Sequence, residues 1–205
     1  MAKRHCPKKT YSHEQRLAFV YAANPHQWYY TAANLHAQAI ALRGNQGRSL
    51  TTFTSLDQVP VAWQTSVTWD DTNRVTFLLA AFAMENMLKA FLVYDDPSLI
   101  AEGYLNKKIK THDLSQLAEN ASRVPYRIRD QWVFEALSEG NESWARYPCG
   151  RSADDIQLEG QFTEKLWDKY CAMMHSYGSE IRRLLSIGWE GPCEFYGRWE
   201  FAGEF

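Results

Sequence analysis

The chain has 205 residues, of which 45% are hydrophobic, 22% charged and 14% aromatic, and its formal net charge is −2. This composition predicts one substantial globular core, and the small net charge argues against nonspecific polyanion binding by the molecule as a whole. The four cysteines form no CxxC pair, which argues against a structural zinc site and is typical of reduced thiols in the cytoplasm.

The N-terminal part, residues 1–24, is predicted to be a basic arm followed by a short helix. Ser12 and Gln15 have the spacing of a capping box and place the start of that helix. Asn24 and Pro25 form a second start signal, an N-cap followed by proline in the first turn. They open the predicted bundle, residues 25–187.

The helix after Pro25 is predicted to end at Gly44, because glycine is favoured just beyond a helix C-terminus. We interpret His36 as a hydrogen-bonded residue at the edge of the bundle, with a catalytic role as the alternative. The apolar residues that share one face of this helix are Trp28, Ala32, Leu35, Ala39 and Leu42. From Gly44 to Asp71 the periodicity fails, and we expect a long loop with one short helix or strand around 59–67.

The stretch from Arg74 to Val93 is predicted to be the central helix of the bundle. Its few polar side chains project within about a third of the helix circumference, so the other faces are apolar. They are Arg74, Thr76, Glu85, Asn86 and Lys89. Three of them carry a formal charge, which argues against a membrane span of this length.

The remaining elements are also predicted to be helical. A short helix follows Pro97, and Thr111 is the predicted N-cap of the next helix, with His112 in its first turn. Further helices are expected over 126–137, closed by Gly140, and over 158–186.

Aromatic side chains are frequent in the last segment, residues 188–205. This composition is too aromatic for a solvated linker. The tail either packs back on its own bundle or is buried against a second subunit. The chain as a whole is predicted to be an all-α protein of five or six helices.

Four segments in this order resemble the HEPN family, named for higher eukaryotes and prokaryotes nucleotide-binding. The segments are WYYTAANLHAQAIAL, AFAMENMLKAFLV, THDLSQL and WARYP, and a long closing helix follows them. The residues that carry the resemblance are Glu85, Lys89, His112, Leu114, Arg146, Tyr147 and Pro148. The match covers roughly residues 25–187.

The resemblance implies a helical bundle that commonly forms a homodimer. Many family members are metal-independent ribonucleases of toxin–antitoxin and phage-defence systems, with an arginine four to six residues before a histidine. No arginine of this chain has that spacing. The nearest substitute is Lys107 with His112, in which lysine neutralises a phosphate without the forked guanidinium. The other candidate binding residues are Glu85, Lys89, Lys108, Lys110, Arg146 and Tyr147.

Three hypotheses follow. The first is a dimeric, non-catalytic binding or regulatory protein that recognises RNA, a nucleotide or a partner protein. The second is a divergent ribonuclease that uses His112 with Lys107 or Lys108, and the third is an oligomeric scaffold anchored by the aromatic tail. No P-loop, GxGxxG, HExxH or serine elbow is present, so we expect neither a cofactor nor a metal.

Overall fold

The computed structural model describes residues 10–44, 49–53, 66–70, 73–125, 128–142 and 163–203. The described helices are α1 (His13–Ala23), α2 (Pro25–Gly44), α3 (Asn73–Asp95), α4 (Leu114–Asn120), α5 (Gln131–Glu142) and α6 (Glu164–Ile187). Single 3₁₀ turns lie at Pro97–Ile100, Lys107–Ile109 and Ile128–Asp130. Two small antiparallel hairpins complete the fold: β1 (Ser49–Phe53) with β2 (Ser66–Asp70), and β3 (Trp189–Glu190) with β4 (Tyr196–Gly197). The all-α prediction is confirmed.

The helix α3 is the centre of the bundle, as predicted. It packs along α2 and contacts α4, α5 and α6. It is long and apolar enough to cross a membrane, but 72% of its most apolar 18-residue stretch is buried inside the protein. The helix is apolar over most of its circumference, which fits its burial among other helices on most sides.

The junction between α1 and α2 follows the local sequence signals. Ser12 and Gln15 form the capping box, with each side chain bonded to the other's backbone N–H. The Asn24 side chain accepts a hydrogen bond from the Gln27 backbone at 3.1 Å and donates one to the Tyr21 carbonyl at 2.7 Å. Asn24 therefore ends one helix and caps the next.

The segment between α2 and α3 differs from its prediction. It contains two paired strands, β1 and β2, with Ser49 opposite Asp70 and Phe53 opposite Ser66. The single element expected around 59–67 overlaps β2 only in part, and residues 54–65 lie outside the described structure. The two strands are separated by more than ten residues in the sequence. Only hairpins with short loops carry a recognisable turn motif, so the sequence pattern did not predict this pairing.

Four predicted helix ends are wrong. The helix expected from residue 126 begins at Gln131, after the 3₁₀ turn Ile128–Asp130. The N-cap of α4 is Asp113, whose side chain accepts from the Gln116 backbone, so Thr111 lies too early and His112 precedes the helix. Gly140 is buried inside α5 and does not end it. The helix α6 begins at Glu164, not near residue 158, because Thr163 is its N-cap. For α4 and α6, the residue whose side chain caps the helix lies after the predicted start.

The aromatic tail packs back on its own bundle. Trp189 is buried, and the Trp199 backbone N–H donates to the Leu185 carbonyl at 3.2 Å. Gly188 ends α6 as predicted, with φ of +125°, and a Cβ atom there would lie 2.6 Å from the Tyr196 hydroxyl. Only glycine fits this chain reversal without displacing the tyrosine.

Candidate functional site

Glu85 and Lys89 form a buried ion pair on α3. Lys89 Nζ lies 2.6 Å from Glu85 Oε1, and each side chain is only 7% exposed. The four-residue spacing places both groups on one face of the helix. Lys89 Nζ also lies 5.7 Å from the centroid of the Trp28 ring on α2. The pair is therefore enclosed between α2 and α3, where charges require partners.

His112 completes this cluster from the loop before α4. Its Nδ1 lies 2.9 Å from Glu85 Oε2, so each oxygen of the carboxylate has its own partner. The start of α4 is also held by α5, because the Leu114 backbone N–H donates to Ser138 Oγ at 3.1 Å. The structure thus brings Glu85, Lys89 and His112 together. These contacts fix α4 between α3 and α5.

The orientation of the His112 ring has a chemical consequence. A carboxylate accepts hydrogen bonds, so it favours the tautomer with the proton on Nδ1 and a lone pair on Nε2. The side chain is 54% exposed, and within the described residues its hydrogen bond to Glu85 is the only one. Nε2 is thus available to a ligand as a hydrogen-bond acceptor or a base.

The three lysines of the preceding loop are exposed. Lys107 and Lys108 lie in the 3₁₀ turn Lys107–Ile109, which the Asn106 side chain caps, and Lys110 follows it. Lys108 lines a small cavity of about 100 Å³ together with Asp95 and Asp96. Within the described residues, no ion pair or hydrogen bond joins a lysine of this turn to the Glu85–His112 pair. The three lysines thus lie on the loop that precedes His112, without a described hydrogen bond to its ring.

A groove lined by carboxylates begins next to His112, at Asp113. Its volume is about 440 Å³, and it runs between α4 and α5. Its lining residues are Asp113, Ser115, Gln131, Glu135, Ser138 and Glu139. A phosphate that approached from this side would meet negative charge. Sequence reasoning missed this groove, although Gln131, Glu135 and Ser138 follow a helical spacing on α5.

The other residues named from the sequence do not join the cluster around Glu85. Arg146 and Tyr147 lie outside the described residues. His36 is confirmed as a residue at the edge of the bundle, since its Nδ1 lies 2.9 Å from the Tyr170 hydroxyl on α6. Burial lowers the pKa of His36 to about 4, so the ring is neutral at pH 7. No group of three or more metal-ligating side chains occurs among the described residues.

Comparisons with protein-family models, curated proteins and solved structures gave no match. The residues of the site are therefore interpreted from their own chemistry. The HEPN resemblance, with what it implies about dimers and RNA, stays a prediction.

Proposed function

We propose that the chain is a HEPN-like, homodimeric binding protein that contacts RNA through the Lys107–Lys110 loop and leaves the RNA intact. The observation that carries this proposal is the placement of His112. Its ring is tied to Glu85, a carboxylate that Lys89 already neutralises, and a carboxylate-lined groove begins beside it.

The local charges support binding over catalysis. Cleavage of RNA needs a proton-transfer group and a cation that reaches the same phosphate. Here no described hydrogen bond or ion pair joins one of the exposed lysines to His112, and the groove beside the ring carries carboxylates instead. Exposed lysines bind a phosphate backbone without sequence preference, and this binding weakens as salt concentration rises.

The test measures RNA affinity at several salt concentrations. Fluorescence anisotropy with a labelled single-stranded RNA compares the wild type with the variant Lys107→Gln/Lys108→Gln. We expect weaker binding and a slope of log K against log salt that is less negative by about 1.4, because each lost phosphate contact contributes about −0.7 to this slope. The matched control is Arg183→Gln/Arg198→Gln, which removes two exposed cations on other parts of the chain.

Two results would contradict the proposal: no RNA binding at low salt, or equal losses in the two double variants. Sedimentation equilibrium of the same wild-type sample gives the oligomeric state. A monomer at concentrations that bind RNA would contradict the dimeric part of the proposal.

A second candidate is a divergent ribonuclease with His112 as the base. The exposed Nε2 favours it, because a carboxylate on Nδ1 orients and polarises an imidazole for proton transfer. Its structural test is the homodimer, in which two copies of His112 must converge with Lys107 or Lys108 on one basic cleft. An isolated His112 ring in the dimer would exclude this mechanism.

A further inference from the structure

A groove with charged walls lies between the start of α5 and the first half of α6. Its volume of about 700 Å³ is in the range of small-molecule sites, roughly 300–1,000 Å³. Its walls carry three cations, two carboxylates and one indole ring. These residues are Arg129, Asp130, Trp132, Lys165, Asp168 and Lys169. None of them belongs to the cluster around His112.

Asp130 is the buried charge of this groove. The residue is only 5% exposed, and its Oδ1 lies 2.7 Å from Lys169 Nζ and 3.9 Å from Arg129 Nε. A buried carboxylate requires partners, so Asp130 keeps both cations at the groove. One carboxylate is shared by two cations, and the three groups together keep one positive charge. The remaining N–H groups of Lys169 and Arg129 can therefore donate to an anion.

Lys165 and Asp168 line the same groove and form no ion pair with any other residue that the structure describes. Lys165 Nζ lies 5.4 Å from the centroid of the Trp132 ring, and this contact holds the ammonium group at the wall without using a hydrogen-bond acceptor. Lys165 and Asp168 are three residues apart on α6, which places their side chains on one face of the helix. An ammonium group and a carboxylate on one wall are thus available to a ligand.

We propose that this groove binds an acidic α-amino acid, such as glutamate. The α-carboxylate of the ligand accepts hydrogen bonds from Lys165, and its ammonium group donates to Asp168. Its side-chain carboxylate binds Lys169 and Arg129, which Asp130 keeps at the groove. The charges are complementary, because the three cations of the walls exceed the two carboxylates by one, whereas the ligand has two carboxylates and one ammonium group.

Ligands with fewer charged groups match these walls less well. A dicarboxylate without an ammonium group gives Asp168 no partner and adds a second negative charge next to it. An amino acid with an apolar side chain gives Lys169 and Arg129 no additional acceptor. Each of these ligands forms fewer charge-assisted hydrogen bonds than an acidic amino acid does, so each is expected to bind more weakly.

The experiment is isothermal titration calorimetry of the full chain with L-glutamate at fixed ionic strength. Glutarate lacks the ammonium group and L-norvaline lacks the side-chain carboxylate, so these two compounds test the two groups separately. We expect each of them to bind at least tenfold more weakly than glutamate, because each loses charge-assisted hydrogen bonds.

The variants Lys165→Gln and Asp168→Asn should each weaken glutamate binding at least tenfold. Both residues are exposed on α6, so the variants keep the fold. Asp168→Asn should also reduce the preference for glutamate over glutarate, because Asp168 accepts from the ammonium group. The matched controls Arg198→Gln and Glu119→Gln make the same charge changes at exposed positions outside the groove and should bind glutamate like the wild type.

The proposal is overturned if glutamate does not bind at millimolar concentration, or if glutarate or norvaline binds as tightly as glutamate. It is also overturned if Lys165→Gln or Asp168→Asn binds glutamate as well as the wild type does. Equal losses in the groove variants and the controls would show that the overall charge attracts the ligand, which is a further contradiction. RNA binding by the Lys107–Lys110 loop is measured with different variants, so the two proposals can fail independently.

Discussion

Glu85 Oε2, in the middle of α3, lies 2.9 Å from Nδ1 of His112, the residue just before the N-cap of α4. This contact joins residues 27 positions apart and connects the most buried helix to an exposed ring. The other carboxylate oxygen binds Lys89, so the stability of the core and the position of His112 depend on one side chain.

The variant Glu85→Gln is expected to destabilise the protein strongly. It keeps the shape of the side chain but leaves the ammonium group of Lys89 buried without its counter-charge, which costs about 3–5 kcal/mol. Urea denaturation gives the free energy of unfolding. The control is Glu180→Gln, which removes the surface pair with Arg183 and should cost less than about 1 kcal/mol. Equal losses in both variants would show that the Glu85 pair is not buried as described.

Replacing both members of the buried pair should restore most of that stability. In Glu85→Leu/Lys89→Met neither charge is buried, and apolar side chains of similar volume fill the same space. Such replacements are often neutral or stabilising. We expect an unfolding free energy within about 1.5 kcal/mol of the wild type. A double variant as unstable as Glu85→Gln would indicate that the pair is needed for packing specificity.

His36 predicts a pH dependence of stability. Burial lowers its pKa in the folded state to about 4 from an unfolded value of 6.5. The unfolded state therefore binds the proton more readily, and the stability present above pH 6.5 is lost as pH falls toward 4. Thermal unfolding of His36→Gln should show a smaller loss across this window than the wild type. The variant His13→Gln, at an exposed position, should keep the wild-type profile, and identical profiles for all three proteins would contradict the prediction.

Arg182 fastens the C-terminal tail to the bundle. Its guanidinium lies 5.8 Å from the Tyr29 ring and 5.2 Å from the Phe201 ring, two rings that contact each other edge to face, and it donates to the Gly203 carbonyl at 2.9 Å. The variant Arg182→Ala should increase amide hydrogen exchange over residues 199–203 at least tenfold, because the tail loses these contacts.

The neighbouring Arg183 provides the control for this prediction. It pairs with Glu180 on the surface of α6. Arg183→Ala should leave exchange in the tail unchanged. Similar exchange in the two variants would mean that the tail is held by other contacts, such as the stacking of Trp199 on His26 at 5.2 Å.

The elements with local signals were predictable from the sequence. The capping box at Ser12, the stop at Gly188 and the apolar composition of α3 depend on neighbours within a few residues, and each is confirmed. The buried residues of α6 follow from the same local order, since helical periodicity in the sequence brings them to one face. These residues are Leu166, Tyr170, Met173, Tyr177, Ile181 and Leu184.

Other features depend on contacts that sequence spacing does not encode. The β1–β2 pairing joins segments that are distant in the chain. Gly140 lies buried inside α5, although glycine is favoured just beyond a helix C-terminus. The resemblance named Glu85 and His112 as candidates, but their contact, the direction of the ring and the acidic groove beside it required the fold. The groove between α5 and α6, which Trp132, Lys165 and Lys169 line, had no sequence signal, because its walls come from separate helices.

The central claim is that the protein binds RNA without cleaving it. The most direct test is to determine whether RNA bound by the protein stays intact. Labelled single-stranded RNA is incubated with the wild type and with His112→Ala in the presence of EDTA, and the bound fraction is recovered and sized by denaturing electrophoresis. The account predicts full-length RNA from both proteins, with similar bound fractions. Cleavage by the wild type that disappears in His112→Ala would contradict it and would assign the exposed Nε2 a catalytic role.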